Sequence, residues 1–305
     1  MKDAGLDRPA SLAFPLAPVG LRHRLADYAA LVKPRLNALV VASAMVGFYL
    51  GSNGPIDLIL LLNTAMGAAL VAGGSAGLNQ VFERDTDRLM ARTRLRPLPD
   101  GRLTSTEARV FSYAAAAAGV AQLALAVNAT AALVALATLV VYIWIYTPLK
   151  LRTPVATLVG AVPGALPPLI GWAGARGVLS LEAWTLFAIV FCWQIPHFLA
   201  IAWLYREDYR RAGFPMLSTL ETDGRRTGGQ SVVFATLLVA AAASPYMVGL
   251  AGATYLAAAL MLSLALLGLA VRFALRRSDG RARGLFIGSL VYLTVLWIVL
   301  LVDKI

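Results

Sequence analysis

Apolar residues occur along this chain in long unbroken runs. They follow neither the alternation of a half-buried strand nor the three-four spacing of a surface helix. The runs cover about 36–52, 57–81, 110–128, 131–147, 154–174, 183–204, 231–249, 253–272 and 285–302, each close to the roughly 17–25 residues that cross a bilayer. In lipid such runs span as helices, because a helix satisfies its own backbone hydrogen bonds. A soluble protein with that many buried helices would need amphipathic ones to cover them, and none is seen. The pattern predicts an all-α polytopic membrane protein with about nine transmembrane helices in a bundle.

Composition agrees: 59% of residues are hydrophobic and 14% charged, against roughly 25% charged in soluble domains. Numbering the connections alternately from the N-terminus puts all but two of the 27 basic residues on one side. Only Arg176 and Lys304 fall on the other. The positive-inside rule assigns the basic side to the cytoplasm, with the N-terminus there and the C-terminus opposite. The net charge of +11 is thus explained by topology, without nucleic acid. Residues 1–28 have no charged start followed by an apolar core, so they read as a short cytoplasmic tail and not a signal peptide. A single cysteine, Cys192, excludes a disulfide framework or a cysteine zinc cluster, and no Walker-type loop is present.

The remaining 29–305 reads as one transmembrane domain. Two connections on the basic side are long, 83–109 and 206–230, and each follows the second helix of a group of four. This suggests two four-helix halves with a ninth helix appended. Long loops in compact domains usually have a use, so the two are expected to converge as cytoplasmic caps over one site.

The first long connection opens with "NQVFERDTDRLMARTRLRPLPDGR" (79–102). Asn79, Glu83 and Asp87 are spaced i, i+4, i+8, and each such step turns only about 40° around a helix. They form one stripe if the second spanning helix continues, while Asp85 faces elsewhere. An amide and two carboxylates suit Mg²⁺, which keeps waters and takes further ligands from substrate phosphates. The competing reading is a solvated helix end carrying Arg84–Asp87 and Asp85–Arg88 ion pairs. Arg92 and Arg96, again i, i+4, have the forked guanidinium that suits a diphosphate. Lys150, four residues after Tyr146, adds a point charge, and Lys33 and Arg35 flank Pro34 at the first helix entrance. Each cation is equally accounted for by topology.

The stripe N-x-x-x-[DE]-x-x-x-D resembles the first acidic motif of the UbiA superfamily of intramembrane prenyltransferases. "ERDTDRLMARTRLRPLPDGR", "LVKPR" (31–35), "YTPLKLRTP" (146–154), "WQIPHF" (193–198), "EDYRRAGFPML" (207–217) and "FIGSLVYL" (286–293) resemble its heme-farnesylating branch. The match extends over nearly the whole chain after residue 28. The resemblance implies a bundle around a lipid-open central chamber in a bacterial-type cytoplasmic (inner) membrane. Farnesyl diphosphate would bind through Mg²⁺ to Asn79, Glu83 and Asp87, with Arg35, Arg92, Arg96, Tyr146 and Lys150 around the diphosphate. The second acidic motif maps onto Glu207 and Asp208, adjacent here and preceded by Leu204, where the superfamily usually has two spaced aspartates. The implied reaction transfers farnesyl to a vinyl of heme b, giving heme O. Membrane lipid and a downstream heme-modifying enzyme are the implied partners. A prenyltransferase for an aromatic quinone precursor fits the acidic stripe equally well, and a transporter remains the reading from another class.

Tyr142, Trp144, Tyr146, Trp193 and Trp203 have faces that stabilise an allylic cation, or they form an interfacial belt. His197 is the one histidine inside a span, and ionisable groups at that depth are functional candidates. Its open roles are axial contact with heme iron, a proton relay, or a hydrogen bond to Gln194 that fixes a bend at Pro196. Asp208 lies eleven residues on, about 16 Å along a continuous helix.

Overall fold

The computed structural model describes residues 21–305; most of the expected N-terminal tail, residues 1–20, lies outside them. Among the described residues nine helices are long and apolar enough to cross a membrane, and they coincide with the apolar runs. The protein is a multi-pass helical membrane protein.

The chain begins with α1 (Leu21–Val32), α2 (Pro34–Gly51), α3 (Leu58–Phe82), the short α4 (Arg84–Leu89) and α5 (Ser105–Ala126). The fourth span starts as α6 (Ala129–Val140), passes through a π-helical turn (Val141–Tyr146) and ends in α7 (Thr147–Leu149). The fifth is α8 (Ala156–Ala165) followed by α9 (Pro167–Arg176). Then come α10 (Leu181–Leu204), α11 (Arg206–Arg211), α12 (Leu217–Leu220), α13 (Arg225–Met247), α14 (Ala253–Leu275) and α15 (Asp279–Val302).

Local chemistry sets the helix starts. Asp57 accepts from Leu60 N at 3.0 Å at the head of α3, and Thr104 with Glu107 makes a capping box at α5. Asn128 accepts from Ala131 N ahead of α6. Such side chains satisfy backbone N–H groups that a helix start leaves open.

Residues 21–28, read from the sequence as tail, are instead the first turns of α1. Their even mixture of charges and apolar residues hides the helix from hydropathy. It is held by ion pairs, Arg24 with Glu107 at 2.5 Å and Asp27 with Arg102 at 2.9 Å, and by Gln80 Nε2 donating to Leu31 O at 2.6 Å.

Consecutive spans pack side by side, α2 on α3, α3 on α5, α10 on α13, α13 on α14 and α14 on α15, and α15 returns to touch α2. The ninth span is therefore integral: it packs on α10 as well as α14. Glycines permit the closest crossings. A Cβ at Gly74 would meet Ser112 O at 2.6 Å, and one at Gly171 would collide with Ala44 O. Small residues give this close approach where lipid supplies no hydrophobic drive between helices.

The two cations assigned to the sparsely charged side both serve the C-terminal end of α2. Arg176 Nε donates to Gly51 O at 2.7 Å, and Lys304 Nζ donates to Tyr49 O at 2.8 Å and Ser52 O at 2.6 Å. Positive groups there meet open carbonyls and the negative end of the helix dipole.

Candidate active site

The helical ladder runs almost without break from α3 into α4. Glu83 N donates to Asn79 O at 2.9 Å and Asp87 N to Glu83 O at 2.8 Å, so Asn79, Glu83 and Asp87 do share one stripe. That stripe faces inward, with Glu83 4% and Asp87 0% exposed. Asp85 is exposed and lies 3.9 Å from Arg88. Of the two surface ion pairs the sequence offered, Arg84–Asp87 does not form; Arg84 Nη1 donates to Ser105 Oγ at 3.2 Å instead.

Each buried acid holds a cation. Lys150 Nζ donates to Glu83 Oε1 at 2.9 Å and Arg96 Nη1 to Asp87 Oδ2 at 2.8 Å. Burial works to raise the Glu83 carboxyl, but Lys150, supported by Lys33, outweighs it and leaves the group below its ordinary pKa. At Asp87 burial outweighs Arg96 and the carboxyl lies above its ordinary value. Burial disfavours the Lys150 ammonium, yet Glu83 more than compensates and its pKa is raised.

Asp87 Oδ1 is buried without a hydrogen-bond partner. A buried acceptor left open is costly, and it marks the position where a hard cation fits the donor set. Asn79 Nδ2 donates to Thr147 Oγ1 at 3.3 Å, which leaves the amide carbonyl oxygen as the atom that could ligate a cation. Among the described residues no three His, Cys, Asp or Glu side chains already sit together as a metal cage.

The two long connections meet over this stripe. Met90 packs in one cluster with Tyr209, Ala212, Phe214 and Met216, and Asp208 Oδ1 accepts from Ala91 N at 3.3 Å. Arg92 lies over the rings of Tyr205 and Tyr209, at 5.0 and 4.8 Å from their centroids. Lys150 Nζ lies 4.6 Å over the Phe214 ring. Asp208 is buried and also takes Arg211 at 2.7 Å.

Two expected site residues, Glu207 and Arg35, lie at the surface, while Tyr146 sits behind the site. Glu207 is turned outward and pairs with Arg210 at 2.5 Å, because adjacent residues on a helix point roughly 100° apart. The second acidic motif thus brings one carboxylate inward. Arg35 is exposed on the first turn of α2. Tyr146 stacks on Tyr142, ring centroids 5.5 Å apart, at the end of the π turn. Gly160 makes room for it, since a Cβ there would meet the Tyr146 ring at 2.5 Å.

His197 projects from α10, half-buried, and its Nδ1 lies 2.8 Å from Ser289 Oγ on α15. Gln194 is not its partner: Gln194 Nε2 donates to Ala161 O at 2.6 Å. Nor is the helix continuous to Asp208, for Tyr205 (φ −110°, ψ 23°) separates α10 from α11. The helical path of about 16 Å is accordingly an upper bound.

Sequence reasoning passed over Thr147, Gly160, Tyr205, Tyr209, Phe214 and Ser289. Thr147, Tyr209, Phe214 and Ser289 all lie inside the quoted motifs, where charge drew the attention. Gly160 and Tyr205 carry no signal that one sequence separates from background.

The spanning helices thus gather buried acids and basic side chains at one end of the bundle. The chain belongs to the UbiA prenyltransferase family, whose family model matches residues 40–298. It is 45% identical over 287 residues to the protoheme IX farnesyltransferase of Solibacter usitatus (strain Ellin6076), covering 91% of this chain and 98% of that one. With the protoheme IX farnesyltransferase of Koribacter versatilis (strain Ellin345) it shares 40% over 295 residues, 93% and 95% of the two chains. The fold is similar to a digeranylgeranylglyceryl phosphate synthase at a TM-score of 0.78 and 17% identity, covering 92% and 98%. A UbiA homolog from Archaeoglobus fulgidus bound to GPP and Mg²⁺ is similar at 0.66 and 18% identity, covering 90% and 99%.

Proposed function

We infer that the protein transfers the farnesyl group of farnesyl diphosphate to a vinyl group of heme b, making heme O. The observation that carries this reading is the buried acid stripe with its open Asp87 oxygen, in a chain similar over 91% of its length to a protoheme IX farnesyltransferase. A transporter would need polar groups leading across the membrane, and here the buried acids Glu83, Asp87 and Asp208 gather at one end.

Asn79, Glu83 and Asp87 would hold Mg²⁺. Bound there, the ion supplies positive charge against the diphosphate as it departs, the electrostatic contribution usually largest in catalysis. Lys150 and Arg96 neutralise the acids in the free protein and would pair with the phosphates of a bound diphosphate. Arg92, lying over the rings of Tyr205 and Tyr209, would present its fork to the same anion. Asp208 ties the two loops together through Ala91 N and is the single inward carboxylate of the second motif. Tyr142 and Tyr146 offer ring faces and few nucleophilic atoms to the allylic cation. The one domain, 29–305, would sit in a bacterial cytoplasmic membrane with the acid stripe, both loops and the N-terminus on the cytoplasmic side.

The test is expression in cells that lack heme O, followed by mass analysis of extracted hemes. A farnesyl-hydroxyethyl heme is expected. Heme b alone, from cells with normal levels of the protein, would overturn the reading.

A further inference from the structure

His197 and Trp193 are i, i+4 on α10 and therefore neighbours on one helix face. Both reach the same residue of α15. Trp193 Nε1 donates to Ser289 O at 2.6 Å, and His197 Nδ1 lies 2.8 Å from Ser289 Oγ. Ser289 is fully buried, so these contacts are made away from water.

The direction of the His197 bond follows from proton counting. A serine hydroxyl has one proton, and Ser289 Oγ donates it to Phe286 O at 2.7 Å, one helical turn back. With that proton committed, Ser289 Oγ accepts from His197, so the imidazole proton is on Nδ1. Neutral imidazole carries one proton, and Nε2 is left with its lone pair. Nε2 has no hydrogen-bond partner among the described residues, and it is not among the fully buried polar atoms that lack one. It is an unpaired Lewis base that is not fully buried.

The ring is also fixed in plane. It stacks against Trp193 with centroids 5.0 Å apart and lies 5.1 Å from the Phe286 ring. Phe198 meets it edge-on at 6.1 Å. A neutral imidazole with Nδ1–H bound to an oxygen and Nε2 free is the form in which histidine ligates metals, and the outer hydrogen bond orients the ligand and raises its basicity. Flat aromatic surroundings suit a flat macrocycle. His197 is seven residues, about 10 Å of helix, from the α10 end, beside which Arg92 and Asp208 lie, a gap that a macrocycle can span.

We propose that Ser289 is a positioning residue that locks His197 in its Nδ1–H tautomer, so that Nε2 binds the iron of the acceptor porphyrin. The proposal rests on the heme-farnesylating reading and narrows how the acceptor is held. Of the three roles the sequence left open for His197, the bend-fixing bond to Gln194 is absent. A proton relay would need a titratable partner, and the ring's stacking and hydrogen-bond contacts among the described residues are Trp193, Phe198, Phe286 and Ser289.

The experiment titrates purified full-length protein in detergent with hemin and, separately, with metal-free protoporphyrin IX. Hemin should give a histidine-ligated Soret band with wild type. His197→Ala should lose that band and bind hemin at least ~10-fold more weakly, while binding metal-free protoporphyrin as wild type does. Added imidazole should restore the band. Ser289→Ala should weaken hemin affinity several-fold, and Ser289→Thr, which keeps the hydroxyl, should recover it. A wild-type hemin spectrum identical to hemin in detergent alone overturns the proposal without any variant, as does a band that survives in His197→Ala. The same preparations are assayed for farnesylated heme. Product formation without a His197-dependent band sinks only this proposal, whereas no product from wild type sinks the functional reading beneath it.

Discussion

Lys150 Nζ lies 2.9 Å from Glu83 Oε1, bridging the fourth span to the end of the second across the inner face of the bundle. Both groups are buried, and a half-broken buried pair costs more than the pair contributes. Glu83→Ala should therefore lower thermal stability as well as turnover, with kcat down at least ~10²-fold from lost leaving-group stabilisation. Asp87→Ala should lose a similar factor, and Asn79→Ala less, because a neutral amide contributes less to holding a cation. Asp85→Ala should behave as wild type, its side chain being 91% exposed. Steady-state assays over a Mg²⁺ titration decide this; equal damage from Asp85→Ala and Asp87→Ala would remove the stripe from the site.

Arg96 and Arg92 are expected to separate. Arg96 neutralises buried Asp87, so Arg96→Ala should lower both Tm and kcat/KM. Arg92 has no carboxylate partner and rests on Tyr205 and Tyr209. Arg92→Ala should leave Tm nearly unchanged and raise KM for farnesyl diphosphate roughly 10-fold, with lysine rescuing only in part because the fork is lost. Wild-type KM in Arg92→Ala would take it off the diphosphate.

The spans and the acid stripe were legible because both depend on short-range rules: length of an apolar run, and a four-residue step around a helix. The convergence of the long loops was legible from their length alone. What the sequence could not give was partnership across the bundle. Nothing in the spacing of Glu83, Asp87, Arg96 and Lys150 says which acid takes which cation, since these bonds join residues as far apart as 83 and 150. Helix α1 was missed because its anchors, Arg24 to Glu107 and Asp27 to Arg102, are likewise tertiary. Glu207 was placed with Asp208 by motif, and only the turn between neighbouring helix positions sends it outward.

The orientation is open to direct test. Arg94 and Arg225 lie in the two long connections, and the basic side should be cytoplasmic. On a Cys192→Ala background, cysteine at 94 or 225 should resist an impermeant thiol reagent in intact cells and react after lysis. Labelling of either from outside would invert the topology and place the acid stripe on the wrong side for cytoplasmic substrates.

Lys33 supplies a pH test of the same site. It is the one non-glycine described residue with a left-handed backbone (φ 49°), preceding Pro34, where the helical conformation is disfavoured. Burial, with Arg96 adding repulsion, lowers its pKa to about 8, against the opposing pull of Glu83 and Asp87. An unfolded lysine titrates near 10.4, so between about 8 and that value the folded protein binds fewer protons than the unfolded chain. In that window stability rises with pH. Binding runs the other way: an arriving diphosphate favours the charged ammonium, so affinity should fall as pH rises through about 8 and binding should take up protons. KM for farnesyl diphosphate measured from pH 7 to 9.5 should climb in wild type and stay flatter in Lys33→Gln, which cannot titrate. Lys33→Arg, always charged, should also be flat but with a lower KM. Parallel profiles in wild type and Lys33→Gln would show that Lys33 does not face the diphosphate.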